Sequence, residues 1–120
     1  MLHITNGDSA NVYLKRIGIL GQFQAWQDAL HEGHISAHTE LAAISNTRSY
    51  FLAEYFCIDL KTVQAKFTKR DEVLTHWPSN EPMTLWLTPE LFDALIGLQF
   101  LAWYRDSGRA IEQLNIVMLP

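Results

Sequence analysis

The stretch Leu2-His3-Ile4-Thr5-Asn6-Gly7-Asp8-Ser9 decides the fold, because it leads from a short strand directly into a helix. The pattern predicts a strand over residues 2–6, closed by Gly7 and followed by a helix. Gly7 is expected to adopt a backbone conformation that other residues avoid, and Asp8 or Ser9 to cap the helix. In a parallel sheet such a corner lies at the carboxyl end of a strand, where ligands collect.

The rest of the chain alternates apolar segments of strand length with longer segments of helical spacing. Thr39 and Thr88 are the expected caps of the helices that follow them, with Pro89 at a first helical position. Three more strands are predicted over residues 22–27, 83–87 and 114–119. Three more helices are predicted, one from its cap at Thr39 to residue 55, one from residue 60 to about 75, and one from residue 91 to about 105. The last helix is apolar on most sides and is expected to be buried broadly. The alternation predicts one α/β domain over residues 1–120, a three-layer fold with a mostly parallel four-stranded sheet, flavodoxin-like or Rossmann-like.

Composition limits the classes of partner. The chain has 120 residues, of which 48% are hydrophobic, and a net charge of −4. Nine basic residues scattered along the chain do not form a footprint for a phosphate backbone, so no nucleic-acid partner is expected. No segment approaches the ~18 to 20 apolar residues that span a bilayer, and none resembles a secretion signal, so no membrane partner is expected.

The single cysteine, Cys57, cannot form a disulfide within the chain. Its neighbours Phe56 and Ile58 predict a buried thiol, and this usage is typical of a reducing compartment, here the cytoplasm. The chain begins almost at its first strand and stops at the end of its last. This suggests the N-terminal module of a longer protein, in which a downstream helical domain or a second copy in a homo-oligomer covers the exposed side.

The corner after the first strand supplies the first set of candidate ligand-binding residues, namely His3, Asn6, Gly7, Asp8 and Ser9. The first N–H groups of the helix are able to hold a phosphate, although Asp8 places a negative charge beside them. Gly7-Asp8-Ser9 is also typical of esterases and lipases in which the serine attacks a carbonyl and a histidine is the base. The last 40 residues contain no histidine to serve as that base.

The corner after the second strand supplies the candidate catalytic residues Asp28, His31 and Glu32. Asp28 is placed to orient the His31 imidazole, which titrates near neutral pH, and Glu32 offers a second proton acceptor. Two alternatives stay open for this segment. It is either a metal site built from His31, His34 and a carboxylate, or a polar surface loop. The sequence identifies neither a metal site of strong spacing nor a cofactor.

Two charged residues on helices complete the candidate set. Arg48 falls on the apolar stripe of its helix, where a charge needs a partner. The sequence allows that partner to be Asp8, Asp28, Glu32 or a bound anion, and it also allows a packed stem whose head reaches water. Asp93 stands near the start of the last helix, where it either binds ligand or favours the positive end of the helix dipole.

These motifs resemble the domain of unknown function 1835 family of bacterial proteins. The segment Leu2–Ala10 is similar to the first motif of that family, and Trp26-x-Asp28-x-Leu30-His31-Glu32-Gly33 to its second, with His34 where proline is common. Further similarity covers Arg48 with Phe51-Leu52-Ala53, and Leu85-Trp86-Leu87 through Phe92-Asp93-x-Leu95. The resemblance implies an α/β domain that a smaller helical region often follows, and it implies no reaction. Related sequences often carry Glu-His-Asp where this chain has Thr88-Pro89-Glu90.

We therefore predict a site for a polar or phosphorylated small molecule in the crevice between the two corners, serving a hydrolase or a group transferase. The acid and base side chains around Asp28 favour this prediction. The rival prediction is a non-catalytic binding or assembly module, which the departure at Thr88-Pro89-Glu90 favours. An esterase using Ser9 is a third alternative.

Overall fold

The computed structural model describes residues 1–26, 28 and 40–120. The predicted alternation of strands and helices is confirmed within these ranges. The elements are β1 (Leu2–Thr5), α1 (Asp8–Arg16), β2 (Gln22–Ala25), α2 (Leu41–Tyr55), α3 (Leu60–His76), β3 (Met83–Leu87), α4 (Leu91–Asp106), a 3₁₀ turn (Ile111–Gln113) and β4 (Leu114–Met118).

The four strands form one parallel sheet in the order β2-β1-β3-β4. Strand β1 is central, and its Thr5 pairs with Ala25 at the end of β2. The chain moves from β1 to one side and then returns to the other side of β1, so the point where the strand order reverses lies between β1 and β3. The ends of β1 and β2, after which the two corners were predicted, are therefore neighbours at the same edge of the sheet.

The sheet has helices on both faces, which makes the three layers. Leu2, Ile4 and Trp26 face the same way and join residues of α3, β3 and α4 in the main core. Alternate residues of the strands point to the opposite face, where Lys15 of α1 lies over the Phe23 ring at 5.3 Å. Helix α1 contacts β1 and β2. No helix within the described ranges is long and apolar enough to cross a membrane.

Helices α2 and α3 pack against each other in the connection between β2 and β3. Leu52 of α2 meets Val63 and Phe67 of α3 in a small second core. Asp59 begins α3 as an N-cap, because its carboxylate accepts hydrogen bonds from the Thr62 N–H at 3.0 Å and the Thr62 hydroxyl at 3.1 Å. Helices α2 and α3 place the buried side chains of Arg48 and Arg70 near the end of β2.

Three predictions about helix ends differ from the structure. Gly7 is the N-cap of α1 but has extended backbone, with φ 172°, and a Cβ added there would meet open space, so the predicted special conformation is wrong. The N-cap residue itself is Gly7, which has no side chain, and Asp8 and Ser9 already lie inside the helix, so the predicted cap by Asp8 or Ser9 is also wrong. Helix α4 begins at Leu91, beyond Thr88 and Pro89, since Thr88 donates to a side chain of α4 instead.

Two predictions about burial are also wrong. Cys57 is exposed, because α2 ends at Tyr55 and the chain turns there with a Cys57 φ of 53° before α3 begins. Helix α4 packs one face on the sheet through Ile96 and Phe100, and leaves Leu98 on its other face exposed. One layer of sheet can cover only one side of a helix. The predicted cap Thr39 lies outside the described residues.

Candidate functional site

A pocket of about 240 Å³ lies at the end of β2, between the start of α1 and helix α3. Asp8 and Asn11 at the start of α1 form one wall, and Gln24 and Ala25 at the end of β2 form its base. The volume lies just below the ~300–1,000 Å³ of ordinary small-molecule sites. We call this the strand-end pocket.

Local hydrogen bonds fix the α1 wall of the strand-end pocket. The Thr5 hydroxyl, at the end of β1, donates to Oδ1 of Asn11. This contact leaves the two amide N–H donors of Asn11 without an acceptor among the described residues. The Gln24 amide donates to the Ala25 carbonyl at 3.0 Å, which leaves its own oxygen as an acceptor. The Asn11 amide therefore offers hydrogen-bond donors to the pocket, and the Gln24 amide oxygen offers an acceptor.

Helix α3 forms the opposite wall with Lys66, Phe67, Lys69 and Arg70. Lys66 and Lys69 are exposed and stand one turn apart on the helix, whereas Phe67 and Arg70 are buried. With Asp8, the lining of the strand-end pocket holds three cations and one carboxylate. Arg70 is ion-paired with Asp71 behind this lining, so the two exposed lysines leave a surplus of one positive charge over Asp8.

Arg70 is 2% exposed and lies between two aromatic rings. Its guanidinium carbon is 4.2 Å from the centre of the Trp26 ring and 4.7 Å from that of Phe67. Its Nε donates to Oδ1 of Asp71 at 3.1 Å, and its Nη2 donates to the Ser45 hydroxyl at 2.9 Å. The third nitrogen, Nη1, is buried and has no acceptor among the described residues. Arg70 is thus held in place with one donor group unused.

Burial also acts on the ionisation of this pair. Burial lowers the pKa of Arg70, and the neighbouring carboxylates of Asp71 and Asp28 counter that effect. Burial raises the pKa of Asp71, while Arg70 and the Ser45 hydroxyl, which donates to Oδ2 at 2.6 Å, counter it. An arginine remains charged at any ordinary pH. The strand-end pocket therefore keeps a fixed buried cation in its wall.

Asp28 and Arg48 form a second buried pair beside Arg70. Nη2 of Arg48 lies 2.7 Å from Oδ1 of Asp28, and Nε lies 3.0 Å from both carboxylate oxygens. The side chains are 1% and 0% exposed. Asp28 was one of the partners that the sequence allowed for Arg48, and the structure identifies it. The predicted catalytic residues His31 and Glu32 lie outside the described residues.

The predicted ligand-binding residue His3 lies in the sheet, away from the strand-end pocket. Its Nε2 is 2.9 Å from the Leu20 carbonyl, and its Nδ1 accepts from the Trp86 indole N–H at 3.0 Å. A carbonyl only accepts and an indole N–H only donates, so His3 is neutral with its proton on Nε2. The Phe23 ring stacks on it at 4.9 Å. These contacts make His3 a core residue that joins three strands.

Asn6 and Asp93 meet at the point where the strand order reverses. Oδ1 of Asp93 accepts from the Asn6 amide at 2.9 Å, and Oδ2 accepts from the Thr88 N–H at 2.7 Å and its hydroxyl at 2.8 Å. Asp93 is buried. These bonds tie the end of β1 to the end of β3, so the protein's own side chains occupy the crevice where ligands of such sheets usually bind.

The structure thus brings together part of the predicted set. Asp8 lines the strand-end pocket, and Asp28 and Arg48 lie next to Arg70 behind it. The exposed Ser9 follows Asp8 in α1, and neither described histidine, His3 nor His76, is bonded to it. The lining of the strand-end pocket does not include His3, Asn6, Gly7 or Asp93.

Sequence reasoning missed the contribution of α3. Arg70 stands three residues after Phe67 and seven after Val63, so it falls on the buried stripe of its helix. The same pattern, a charge on an apolar stripe, identified Arg48. Applied to α3, it identifies Arg70 as well.

Within the described ranges, no three His, Cys, Asp or Glu side chains are grouped to hold a metal ion. Comparison with known proteins finds no family, no curated protein and no solved structure that matches this chain.

Proposed function

We propose that this protein binds a polar small molecule in the strand-end pocket. The observation that carries the proposal is the pocket itself, which lies at the end of β2 between α1 and α3 and is lined by Asp8, Asn11 and Gln24 among others. Parallel sheets bind ligands beyond the carboxyl ends of their strands. The alternative crevice, between β1 and β3, is filled by Asp93 and its partners.

The proposal concerns binding and leaves the class of reaction, hydrolysis or group transfer, as a prediction from the sequence. Asp28 was expected to orient His31, but its carboxylate accepts three hydrogen bonds from Arg48. Both oxygens of this carboxylate are thus occupied by a buried ion pair instead of an imidazole. This pairing favours the second candidate function, a non-catalytic binding module.

The finer assignments are proposals of the same kind. The strand order β2-β1-β3-β4 supports a flavodoxin-like grouping. The quoted motifs support membership of the domain of unknown function 1835 family, and the single cysteine supports a cytoplasmic location.

A ligand screen with a blocked pocket tests the proposal. Gln24→Trp adds bulk at the base of the pocket, and Gln22→Trp adds the same bulk two residues earlier on the same strand, where the side chain is exposed. Polar metabolites are screened by thermal shift against both variants and the wild type. A ligand at 100 times its dissociation constant stabilises a fold by ~2.7 kcal/mol, which such a screen detects.

We expect at least one compound that stabilises the wild type and Gln22→Trp but not Gln24→Trp. If no compound stabilises the wild type, or if every compound stabilises both variants equally, the pocket is not the binding site.

A further inference from the structure

We infer that two copies of this chain associate through strand β4 and the side of helix α4 next to it. Three features support this interface: an open strand edge, an uncharged apolar surface beside that edge, and a geometry in which each feature meets its own copy about a two-fold axis. The surface lies at the opposite edge of the sheet from the strand-end pocket, so association and ligand binding can be tested separately.

Strand β4 forms an open edge of the sheet. It pairs with β3 on one side, and no described strand lies on its other side. The Leu119 N–H donates to the Leu87 carbonyl, so the backbone groups of Leu114, Ile116 and Met118 alternate with it and point away from β3. Native proteins protect such edges with charges, prolines or bulges. Residues 114–119 contain no charge and no proline, and β4 runs in continuous register with β3.

An apolar surface lies beside this edge. Ile116 and Met118 are in register with Leu85 and Leu87, so they face the side of the sheet on which α4 packs. Helix α4 lies over β3, where Leu87 is close against Gly97. It leaves the neighbouring strand uncovered, and Ile116 and Met118 are 53% and 59% exposed.

The side of α4 that faces this edge is apolar as well. The other side of the helix is turned to the end of β2, since Gln99 accepts a hydrogen bond from the Trp26 indole. Ala94, Leu98 and Leu101 lie on the far side of the helix from Gln99, and Leu98 is 66% exposed. Between its first turn and its last, α4 carries no charged residue. A second copy therefore meets this surface without a conflict of charge.

The area of the surface suits a dimer. Five large apolar side chains in this part of the fold are 53% to 70% exposed, namely Leu91, Leu98, Ile111, Ile116 and Met118. At roughly 100 Å² each they offer about 500 Å², near the upper end of what a monomer exposes. Two copies then bury about 1,000 Å² in total, where specific interfaces begin, and the paired strand edges add to it.

A two-fold axis perpendicular to the sheet brings both features together. Antiparallel pairing of β4 with its copy places Ile116 opposite its own copy, and Leu114 opposite the copy of Met118. All three residues have outward backbone groups, so each pair exchanges two hydrogen bonds. The two α4 helices then lie on the same face, with Leu98 bordering the paired strands on both sides. Such an interface is closed, because the same surface of each copy is used up.

Sedimentation equilibrium of the full chain over a range of concentrations tests the inference. Ile116→Lys places two like charges opposite each other at the axis. Ile17→Lys is the matched control, because Ile17 is 54% exposed at the end of α1, away from β4. We expect the wild type and the control to form a reversible dimer with a micromolar dissociation constant. Ile116→Lys should raise this constant about tenfold or more, with an unchanged circular dichroism spectrum.

Amide hydrogen exchange of the wild type gives a second readout that needs no substitution. The amides of Ile116 and Met118 should exchange more slowly as the protein concentration rises, because pairing with a second copy protects them. The amide of Phe23, on the outer edge of β2, is the control and should exchange at the same rate at every concentration.

Four outcomes overturn the inference. A wild type that stays monomeric at millimolar concentration would mean that this surface serves a different partner. Equal dimerisation of Ile116→Lys and Ile17→Lys, or exchange at Ile116 that does not depend on concentration, would place the contact elsewhere on the molecule. Species that grow beyond two copies would exclude a closed two-fold interface.

Discussion

Arg48 grips Asp28 through Nε and Nη2 at 2.7 to 3.0 Å, with both side chains removed from water. Arg48 belongs to α2, and Asp28 follows β2 by three residues. The pair therefore holds α2, and with it α3, against the end of β2. Its stability depends on each charge keeping its partner, since burying either one alone is costly.

Breaking this pair should destabilise the fold strongly. Arg48→Met and Asp28→Leu are each expected to lower the free energy of unfolding by about 3–5 kcal/mol, because a buried charge loses its partner. The double variant should cost much less than the sum of the two. Urea denaturation of all four proteins measures the coupling. Arg105→Met, which breaks an exposed pair with Asp106, is the control and should change little. Additive losses would show that the two side chains act independently.

Asp93 should matter for stability beyond its helix position. Asp93→Ala leaves the Thr88 N–H and the Asn6 amide without their acceptor, so we expect a loss of about 3 kcal/mol in the free energy of unfolding. Asp106→Ala removes an exposed carboxylate from the other end of α4 and should have little effect. Chemical denaturation compares the two. A small loss for Asp93→Ala would mean that water replaces the carboxylate at the strand ends.

Gly21 should resist substitution where Gly7 accepts it. A side chain at Gly21 would place its Cβ 2.5 Å from the Met1 carbonyl, at a φ of +133° that L residues avoid. Gly21→Ala should therefore lower the melting temperature by several degrees, at roughly 2 kcal/mol or more. Gly7→Ala meets open space in extended backbone and should leave the melting temperature nearly unchanged. Equal melting temperatures would contradict the prediction.

Tyr104 should make stability fall at alkaline pH. Burial raises the pKa of Tyr104 above 10.0, and its hydroxyl donates to the Ala110 carbonyl at 2.6 Å. The unfolded chain releases this proton first, so the free energy of unfolding falls as pH rises from about 10 through the raised pKa. Tyr104→Phe should cost about 1 kcal/mol at neutral pH and lose this part of the alkaline decline. Denaturation at several pH values tests this, with Tyr50→Phe, an exposed tyrosine on α2, as the control.

The sequence was sufficient for the layer structure because its signals are local. Strand β1 and the apolar run Met83–Leu87 each depend on residues that are neighbours along the chain. The start of α4 was predicted wrongly because threonine is a common helix cap. In the structure the Thr88 hydroxyl instead donates a hydrogen bond to the carboxylate of Asp93, five positions later. The residue type alone does not reveal whether the threonine hydroxyl accepts a hydrogen bond from a backbone N–H or donates one to a carboxylate.

The site was harder to predict because it depends on contacts between distant segments. Asp28 and Arg48 carry opposite charges, so the sequence alone could name Asp28 among the few possible partners of Arg48. The strand-end pocket instead needs α3 to pass beside the end of β2, and only the strand order places it there. Without that order, Lys66 and Lys69 are ordinary exposed lysines.

The central place of β1 also bears on synthesis of the chain. Leu2 pairs with Gln22 on one side and with Met83 on the other. On the ribosome, β1 and β2 can join as soon as both emerge, but the second side of β1 stays unpaired until β3 follows. Contacts so distant in sequence form slowly, and an unpaired strand edge invites association with other chains. The nascent protein is thus most exposed to aggregation while α2 and α3 are being made.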